Sequence, residues 1–329
     1  MTSTHIIARP TIASSPDLPL QSSFLVAGSV WRVCSNSHEV LNAVQQVFAP
    51  GTLGKTDHDL SVSFFVDPQR QGESPWPQPY YRGLDHLVYA SYGPGGSMLI
   101  DFARRRVIGS FSVAMARDSA HWKRVLLPVL LGIISAPIGI TPLHSACVVK
   151  GEDGLIIVGA SGAGKSTLAV SLSLRGFEYL SDDWTYLSRD GEDVHAWGLP
   201  NQIKLLPDAV RFFPQLENRT PGVSLNGELA VEGDPIEIFG VRRSLWCRPR
   251  WLVFLERNEE KRAVFQRVES ADAASRCASL LETLPASMSA LLDVQMETIR
   301  ALVRRECWLL RHGLQVEEVT QRLVEFCSV

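Results

Sequence analysis

The segment Gly159-Ala-Ser-Gly-Ala-Gly-Lys-Ser166 carries the clearest chemical signal in the chain, because it matches the spacing G-x-x-x-x-G-K-[ST]. Glycines in such a loop let successive backbone N–H groups turn toward an anion, and a helix that begins there directs its positive end at the same anion. Lys165 adds a mobile charge for the terminal phosphates, and the Ser166 hydroxyl is an oxygen ligand for Mg2+. The sequence therefore predicts that ATP with magnesium is bound by Gly159, Ala160, Ser161, Gly162, Ala163, Gly164, Lys165, Ser166 and Thr167.

Two consecutive carboxylates follow the loop at a distance that suits phosphoryl transfer. The apolar run Leu155–Val158 predicts a strand before the loop, and residues 167–175 predict a helix that ends at Gly176. The next strand should return parallel and adjacent to Leu155–Val158, so that Asp182 and Asp183 reach the phosphates. One carboxylate could hold magnesium, and the other could orient or deprotonate an acceptor hydroxyl.

A histidine is predicted to lie close to the start of the loop. Residues 145–149 and 155–159 flank a turn over residues 150–154, which indicates a β-hairpin. If Val149 faces Leu155, then Ser145 faces Gly159, and His144 comes within reach of a phosphate or of one aspartate. A purely structural role for His144 stays open at this point.

Other charged residues compete for a place in the site. Glu256 ends the apolar run that begins at Trp251, which is the general form of a strand with a metal-binding carboxylate. Arg242 and Arg243 could supply positive charge to an anionic transition state. Lys204 and Arg211 are further candidates. Each of these side chains could equally lie on a solvated loop or at the end of a core strand.

The elements around these residues indicate an α/β protein of more than one domain. The sequence predicts a flexible tail at 1–20, a mainly β N-terminal domain at 21–120, a buried connecting helix at 121–142 and a P-loop domain at 143–329. The turn Gly93–Ser97 predicts a hairpin, and residues 67–83 read as an exposed loop. Apolar residues at three- and four-residue steps from Met288 to Leu309 predict C-terminal helices.

The composition excludes several classes of protein. The 329 residues carry a formal net charge of -3, which gives no bulk attraction to nucleic acid or anionic lipid. The six cysteines are far apart and form no zinc-binding pattern, so a reduced, cytoplasmic location is expected. Residues 125–143 are apolar enough to suggest a membrane span, but Pro128, Pro137 and Pro142 interrupt the run, and no membrane association is expected.

Taken together, His144, the loop 159–166 and the segment Leu180-Ser-Asp-Asp183 resemble the catalytic core of the HPr kinase/phosphorylase family. The resemblance covers residues 143–190 and implies a P-loop kinase core similar to that of phosphoenolpyruvate carboxykinase. It implies that Asp182 is the catalytic acid/base, that Lys165 contributes to catalysis, and that Asp183 and Ser166 bind magnesium. It also implies that His144 is the partner of the catalytic aspartate.

The sequence also departs from the family pattern. The bifunctional enzymes carry an acidic residue where this chain has Thr167, and the nearest string to their Glu-x-Arg-Gly signature is Ile236-Glu-Ile-Phe-Gly240, which lacks the arginine. The chain looks more similar to divergent relatives that phosphorylate a serine of a ribosomally made precursor peptide, as in lasso-peptide clusters. The expected substrate is therefore a serine hydroxyl of a peptide or small protein.

Two functions of other classes stay open beside the kinase. A P-loop ATPase would hydrolyse ATP without a phosphoacceptor, although the chain has no LSGGQ-like signature of transporter motors. A nucleotide-sensing module would bind ATP without turnover. The sequence leaves the identity of the acceptor, the choice of nucleotide and the formation of homo-oligomers undecided.

Overall fold

The computed structural model describes residues 17–52, 57–199, 203–224, 227–257, 263–281, 288–313 and 315–328. The predicted tail at 1–20 lies almost entirely outside the described residues. Within them the chain is a mixed α/β protein with two large sheets, one small sheet and helices on both faces of the second large sheet. The predicted domain boundaries stay a prediction.

The first sheet has eight strands in the order β3-β1-β2-β4-β8-β7-β6-β5 within the described residues. Its strands are β1 (Leu20–Val26), β2 (Ser29–Ser35), β3 (Ala49–Pro50), β4 (Leu60–Asp67), β5 (Tyr80–Leu84), β6 (Leu87–Ser91), β7 (Gly96–Asp101) and β8 (Arg106–Ser112). Strand β4 pairs in parallel with both β2 and β8, and the other pairs are antiparallel.

The sequence predictions for this sheet are largely confirmed, with two differences. The hairpin around Gly93–Ser97 joins β6 to β7, with Ser91 opposite Ser97. The exposed loop is shorter than predicted, because its last residues pair with β6 as strand β5. Helix α1 (His38–Gln45) is not predicted from the sequence. Its buried residues Val40, Ala43 and Val44 follow helical spacing, but over only two turns.

The connecting helix predicted at 121–142 is shorter and interrupted. After α2 (Val113–Arg117) and α3 (Ser119–His121), a π-helical turn at Trp122–Leu126 leads into α4 (Leu127–Ile134). A 3-10 turn, Ala136–Ile138, ends at Gly139 in the left-handed conformation, and a strand begins at Ile140. The prediction that 140–142 are helical is therefore wrong, because Gly139 ends the helical path. Among the described residues, no helix is both long and apolar enough to span a bilayer.

The second large sheet places its central strand β10 between an antiparallel and a parallel neighbour. The strands are β9 (Ile140–Lys150), β10 (Asp153–Gly159), β11 (Glu178–Ser181), β12 (Trp184–Asp190), β13 (Asp193–Trp197), β17 (Trp246–Arg257), β18 (Val264–Arg267) and β19 (Glu306–His312). Strand β10 pairs with β9 on one side and with β17 on the other, and β17 pairs in parallel with β19. A small sheet contains β14 (Ile203–Leu205), β15 (Gly222–Val223) and β16 (Leu229–Gly233).

Helices cover both faces of this sheet because successive strand residues point to opposite sides. Leu155 and Ile157 of β10 belong to the apolar core that contains residues of α5 (Lys165–Leu174) and α9 (Val316–Phe326). Ile156 and Val158 belong to the core on the other face, with residues of α7 (Ser270–Ala278) and α8 (Ser289–Leu302). A short helix, α6 (Pro235–Phe239), follows the small sheet.

Two sequence predictions about this sheet are wrong, and a third is confirmed except for its register. Strand β11 does not lie next to β10; it pairs antiparallel with β9, which separates the two. The β9–β10 hairpin is confirmed but shifted by one residue, since Gly154 faces Val149 and Val158 faces Ser145. Leu309 does not continue the C-terminal helices, because Glu306–His312 forms strand β19 between α8 and α9.

Candidate active site

The predicted phosphate-binding loop joins β10 to α5, so the strand-loop-helix context expected from the sequence is present. Gly162 and Gly164 have φ angles of 75° and 102°, which residues with a Cβ atom rarely adopt. A Cβ atom added at either glycine would meet nothing within 4 Å, so the backbone angle and not crowding requires these glycines. The first N–H groups of α5 lack helical acceptors and are directed toward the loop.

Lys165 lies over this loop with its ammonium group held by backbone carbonyls. Its Nζ donates to the Gly159 carbonyl oxygen at 2.8 Å and to that of Ala160 at 3.4 Å. Only 7% of the residue is exposed. Burial lowers the pKa of Lys165, while Asp183 and Asp182 act in the opposite direction by favouring its charged form.

Asp182 follows β11 and is buried beside the loop. Its carboxylate accepts a hydrogen bond from the Tyr179 hydroxyl at 2.8 Å and one from the Lys204 backbone N–H at 3.4 Å. Burial raises the pKa of Asp182 to about 6, and the charge of Asp183 acts in the same direction. Hydrogen bonds from Tyr179, Lys204 and the Ser166 hydroxyl limit the rise. A carboxyl group with a pKa near neutrality can both accept and return a proton.

Asp183 differs from its neighbour because it is exposed and paired with a histidine. Its Oδ1 lies 2.9 Å from Nε2 of His144, and 65% of the Asp183 side chain is exposed. The β9–β12 register places His144 opposite Trp184, and the two rings stack with centroids 5.5 Å apart. The resemblance implied that His144 would be the partner of Asp182. In the structure its partner is Asp183, because the side chain of Asp182 turns inward to Tyr179.

These predicted residues meet at one cavity of about 400 Å³. The cavity is lined by His144, Ser161, Gly162, Ala163, Gly164, Lys165, Ser166, Thr167, Asp182 and Asp183. Gly159 and Ala160 are the carbonyl partners of Lys165 at the end of β10. Lys204 and Arg211, which the sequence left undecided, also line it.

The other undecided residues lie in ion pairs elsewhere. Arg242 pairs with Glu178 at 3.6 Å, and Arg243 pairs with Asp234 at 3.1 Å. Glu256 pairs with Arg276 at 3.0 Å and with Arg311 at 3.4 Å, and the hydrogen bond from Arg276 lowers its pKa. Glu256 therefore ends a strand in a charged surface cluster, and it is not among the residues that line the cavity.

Several residues at the cavity are not predicted from the sequence. Tyr179 binds Asp182, and Arg257, His312 and Gly313 line the cavity at the ends of β17 and β19. The signal that could have found the last three is their position at the carboxyl ends of the neighbouring parallel strands β17 and β19. That signal is hidden because the apolar spacing up to Leu309 predicts a helix where strand β19 lies.

The oxygen atoms beside the loop suit a hard cation. The Ser166 hydroxyl helps to lower the pKa of Asp182, and both residues line the cavity together with Asp183. Among the described residues, no group of three or more His, Cys, Asp or Glu side chains is close enough to hold a metal by itself. Mg2+ is usually held by one or two carboxylates, with phosphate oxygens and water as its other ligands. Ser166 and either carboxylate therefore fit such an ion.

Comparisons with known proteins add little to this geometry. No protein-family model matches the chain, and no curated protein matches it. Among solved structures, the HPr(Ser) kinase/phosphatase from Coxiella burnetii matches with 12% sequence identity and a TM-score of 0.29. The match covers 56% of this chain and 97% of that one. It is a distant structural relationship, and a likeness of this size supports no argument about activity.

Proposed function

We propose that this chain is an ATP- and Mg2+-dependent kinase that transfers the γ-phosphoryl group to a serine hydroxyl of a peptide or small protein. The observation that supports it is the convergence of the glycine loop, Lys165 and two unlike carboxylates on one cavity. The acceptor in this proposal is a serine of a ribosomally made precursor peptide of the lasso type. The chemistry of the site, and not the structural comparison, carries the proposal.

The roles of the loop residues follow from charge and geometry. Backbone N–H groups between Ala160 and Thr167 surround the phosphates, and Lys165 neutralises the charge that develops on the transferred group. Magnesium, held by Ser166 and Asp183, would supply further positive charge at the β- and γ-phosphate oxygens. His144, at 2.9 Å from Asp183, fixes the direction of that exposed carboxylate.

Asp182 is the acid/base in this proposal. It accepts the proton of the serine hydroxyl while the serine oxygen bonds to the γ-phosphorus. The bond from that phosphorus to its bridging oxygen breaks, and ADP leaves with the electron pair. The pKa of Asp182, raised to about 6 by burial, suits this task because the carboxylate is ionised at neutral pH yet basic enough to take a proton.

The cellular location and the binding partners of the chain are also part of this proposal. A cytoplasmic location would supply ATP, and the six cysteines are free thiols in the structure. The net charge of -3 offers no general attraction to nucleic acid or to membrane lipid. Assembly into a homo-oligomer is open, and the proposed mechanism does not require it.

The test is a transfer assay with γ-labelled ATP, Mg2+ and a synthetic library of serine peptides, each matched by an alanine version. Labelled serine peptide supports the kinase. Release of free phosphate alone identifies an ATPase, and ATP binding with neither product identifies a nucleotide sensor. The transfer reaction distinguishes the first two outcomes, and a parallel filter-binding measurement with the same labelled ATP and wild-type protein identifies the third.

A variant separates the role of Asp182 from nucleotide binding. Asp182→Asn should lower transfer by roughly 10²- to 10⁴-fold, the usual contribution of a general base, while ATP binding remains. Asp190→Asn, at the exposed end of β12, is the matched control and should leave transfer unchanged. Full transfer by Asp182→Asn would remove the acid/base assignment.

A further inference from the structure

The cavity has two unlike sides, with the glycine loop between them. His144, Asp182 and Asp183 lie on the side of β9. On the other side of β10 lie β17 and then β19, and the cavity residues there are Arg257, His312, Gly313, Val316 and Val319. A ligand held by the loop therefore faces carboxylates in one direction and the ends of β17 and β19 in the other.

The direction of a bound nucleotide follows from these sides, if the proposed function holds. The γ-phosphate must face Asp182 and Asp183, because transfer occurs there. A nucleoside triphosphate is a linear chain of phosphates with the nucleoside at the opposite end. The nucleoside is therefore directed past the loop, toward the side formed by β17, β19 and α9.

The part of that side formed by helix α9 is apolar, while Arg257 lies at the end of β17. Val316 and Val319 belong to the first turn of α9 and line the cavity with Leu168 of α5. An apolar wall of this kind is typical of the part of a pocket that holds a base.

Helix α9 is fixed against the helix of the loop, so this wall is preformed. Arg175, at the end of α5, bonds to Glu317 and, at 3.0 Å, to Gln321 of α9. Val319 and Leu323 are buried with Leu168 in one apolar core. The apolar wall and the glycine loop therefore keep one relative position.

His312 adds a polar atom with no partner at this side. Its Nδ1 lies 2.7 Å from the Gly313 carbonyl oxygen, which can only accept, so Nδ1 donates. Nε2 is buried and has no hydrogen-bond partner, and the residue is 6% exposed. Burial lowers the pKa of His312, and the charge of Arg257 acts in the same direction, while the Gly313 backbone opposes them. In the neutral ring Nε2 is an acceptor for a hydroxyl or amino group.

We propose that His312, Gly313, Val316 and Val319 form the nucleoside subsite of the cavity. Val316 and Val319 contact the base, and His312 lies beside the ribose or an amino group of the base. This inference rests on the proposed function only for the direction of the triphosphate. It predicts that the subsite recognises the nucleoside and contributes little to binding of the phosphates.

The experiment compares ATP with inorganic tripolyphosphate, each with Mg2+, by isothermal titration calorimetry. Val316→Asn should weaken ATP binding roughly tenfold, because a polar group replaces the apolar contact, and should leave tripolyphosphate binding within about twofold. Val324→Asn is the matched control, since Val324 is also a partly buried valine of α9 but lies outside the cavity. Unchanged ATP binding by Val316→Asn, or equal weakening of both ligands, would overturn the subsite.

A second measurement uses wild-type protein and does not depend on a variant that folds. Hydrogen exchange of the amides at 316–320 should slow when ATP binds but not when tripolyphosphate binds. Equal effects of the two ligands would overturn the subsite while leaving the phosphate loop intact. If wild-type protein binds neither ligand, the proposed function and the subsite both fall.

Discussion

The N-terminal sheet β1–β8 and the sheet around β10 each contain a buried aspartate, Asp101 and Asp182, and the two carboxyl groups have different electrostatic environments. Asp101, at the end of β7, is 9% exposed and accepts hydrogen bonds from the backbone and side chain of Arg104. The Arg104 backbone hydrogen bond is the main cause that lowers the pKa of Asp101. Asp182 is 6% exposed, and burial raises its pKa to about 6.

Asp101 stabilises the turn that follows β7, whereas Asp182 is retained although its ionised form lowers the stability of the fold. The first sheet otherwise buries large apolar side chains, such as Trp31, Phe64 and Trp122. The second sheet buries Lys165 and Asp182 beside one cavity. Groups kept in an unfavourable electrostatic environment are common at functional sites. Substitution of Asp101 should therefore lower stability, and substitution of Asp182 can raise it.

The largest expected loss of stability is in the first region. Trp122 is fully buried, contacts Phe64 and Phe111 edge-on, and donates a hydrogen bond to the Met115 carbonyl oxygen at 2.8 Å. Trp122→Ala should lower the free energy of unfolding by about 3–5 kcal/mol, measured by urea denaturation. Trp246→Ala, where 41% of the residue is exposed, is the control and should cost clearly less. Equal losses would contradict the comparison.

The second prediction tests the two aspartates directly. The pKa of Asp182 is raised from 3.8 to about 6, so its ionisation opposes folding above pH 6, by up to ~3 kcal/mol. Asp182→Asn should therefore raise the free energy of unfolding at pH 8, and the gain should shrink as the pH falls through 6.

The matched variant Asp101→Asn should have the opposite sign. The lowered pKa of Asp101 stabilises the folded state above the unfolded pKa, and this contribution is lost as the pH falls through the folded value. Asp101→Asn should lower stability at neutral pH. Urea denaturation between pH 5 and 8 measures both variants, and the same sign for both would refute the distinction.

Two glycine-to-alanine substitutions should change stability by smaller amounts and in opposite directions. Gly164→Ala forces a residue with a Cβ atom into a φ of 102°, which should cost about 1–2 kcal/mol although the Cβ meets no atom within 4 Å. Gly132 lies within helix α4, and its added Cβ also meets nothing within 4 Å. Gly132→Ala should stabilise the protein by about 0.5–1 kcal/mol. Thermal denaturation of both variants tests this, and a gain for Gly164→Ala would contradict it.

The smallest effect on stability is expected at His144. Its pair with Asp183 is largely exposed, and such pairs contribute at most about 1 kcal/mol. His144→Gln should therefore change the free energy of unfolding very little, yet it should lower transfer if His144 positions Asp183. Parallel denaturation and transfer assays separate these effects. A large loss of stability would show that the stack on Trp184 matters more than the pair.

The local part of the site could be predicted from the sequence because its signals are short. Residues 155–176 carry strand, loop and helix within one continuous motif, and Asp182 and Asp183 follow at once. The structure brings them together at one cavity. The inward turn of Asp182 could not be predicted, because it depends on the hydroxyl of Tyr179, on the strand just before it, and on the backbone N–H of Lys204, on the distant strand β14.

The non-local part of the fold could not be predicted for a related reason. Strand β10 pairs with β17, nearly a hundred residues later, and β19 lies beyond that. Leu302 and Leu309 are seven residues apart, a spacing that suits two turns of helix, so the strand at 306–312 looked like a continuation of α8. The same error concealed His312 at the cavity.

Strand β9 belongs to all three large apolar cores of the described chain. Ile140 packs in the core of the first sheet, while Leu143 and Ala146 pack in the cores on the two faces of the second. His144 stands between them on the same strand. Detachment of the first sheet would uncover Ile140 and free one end of the segment that carries the histidine. The candidate site and the N-terminal sheet therefore share one strand of eleven residues.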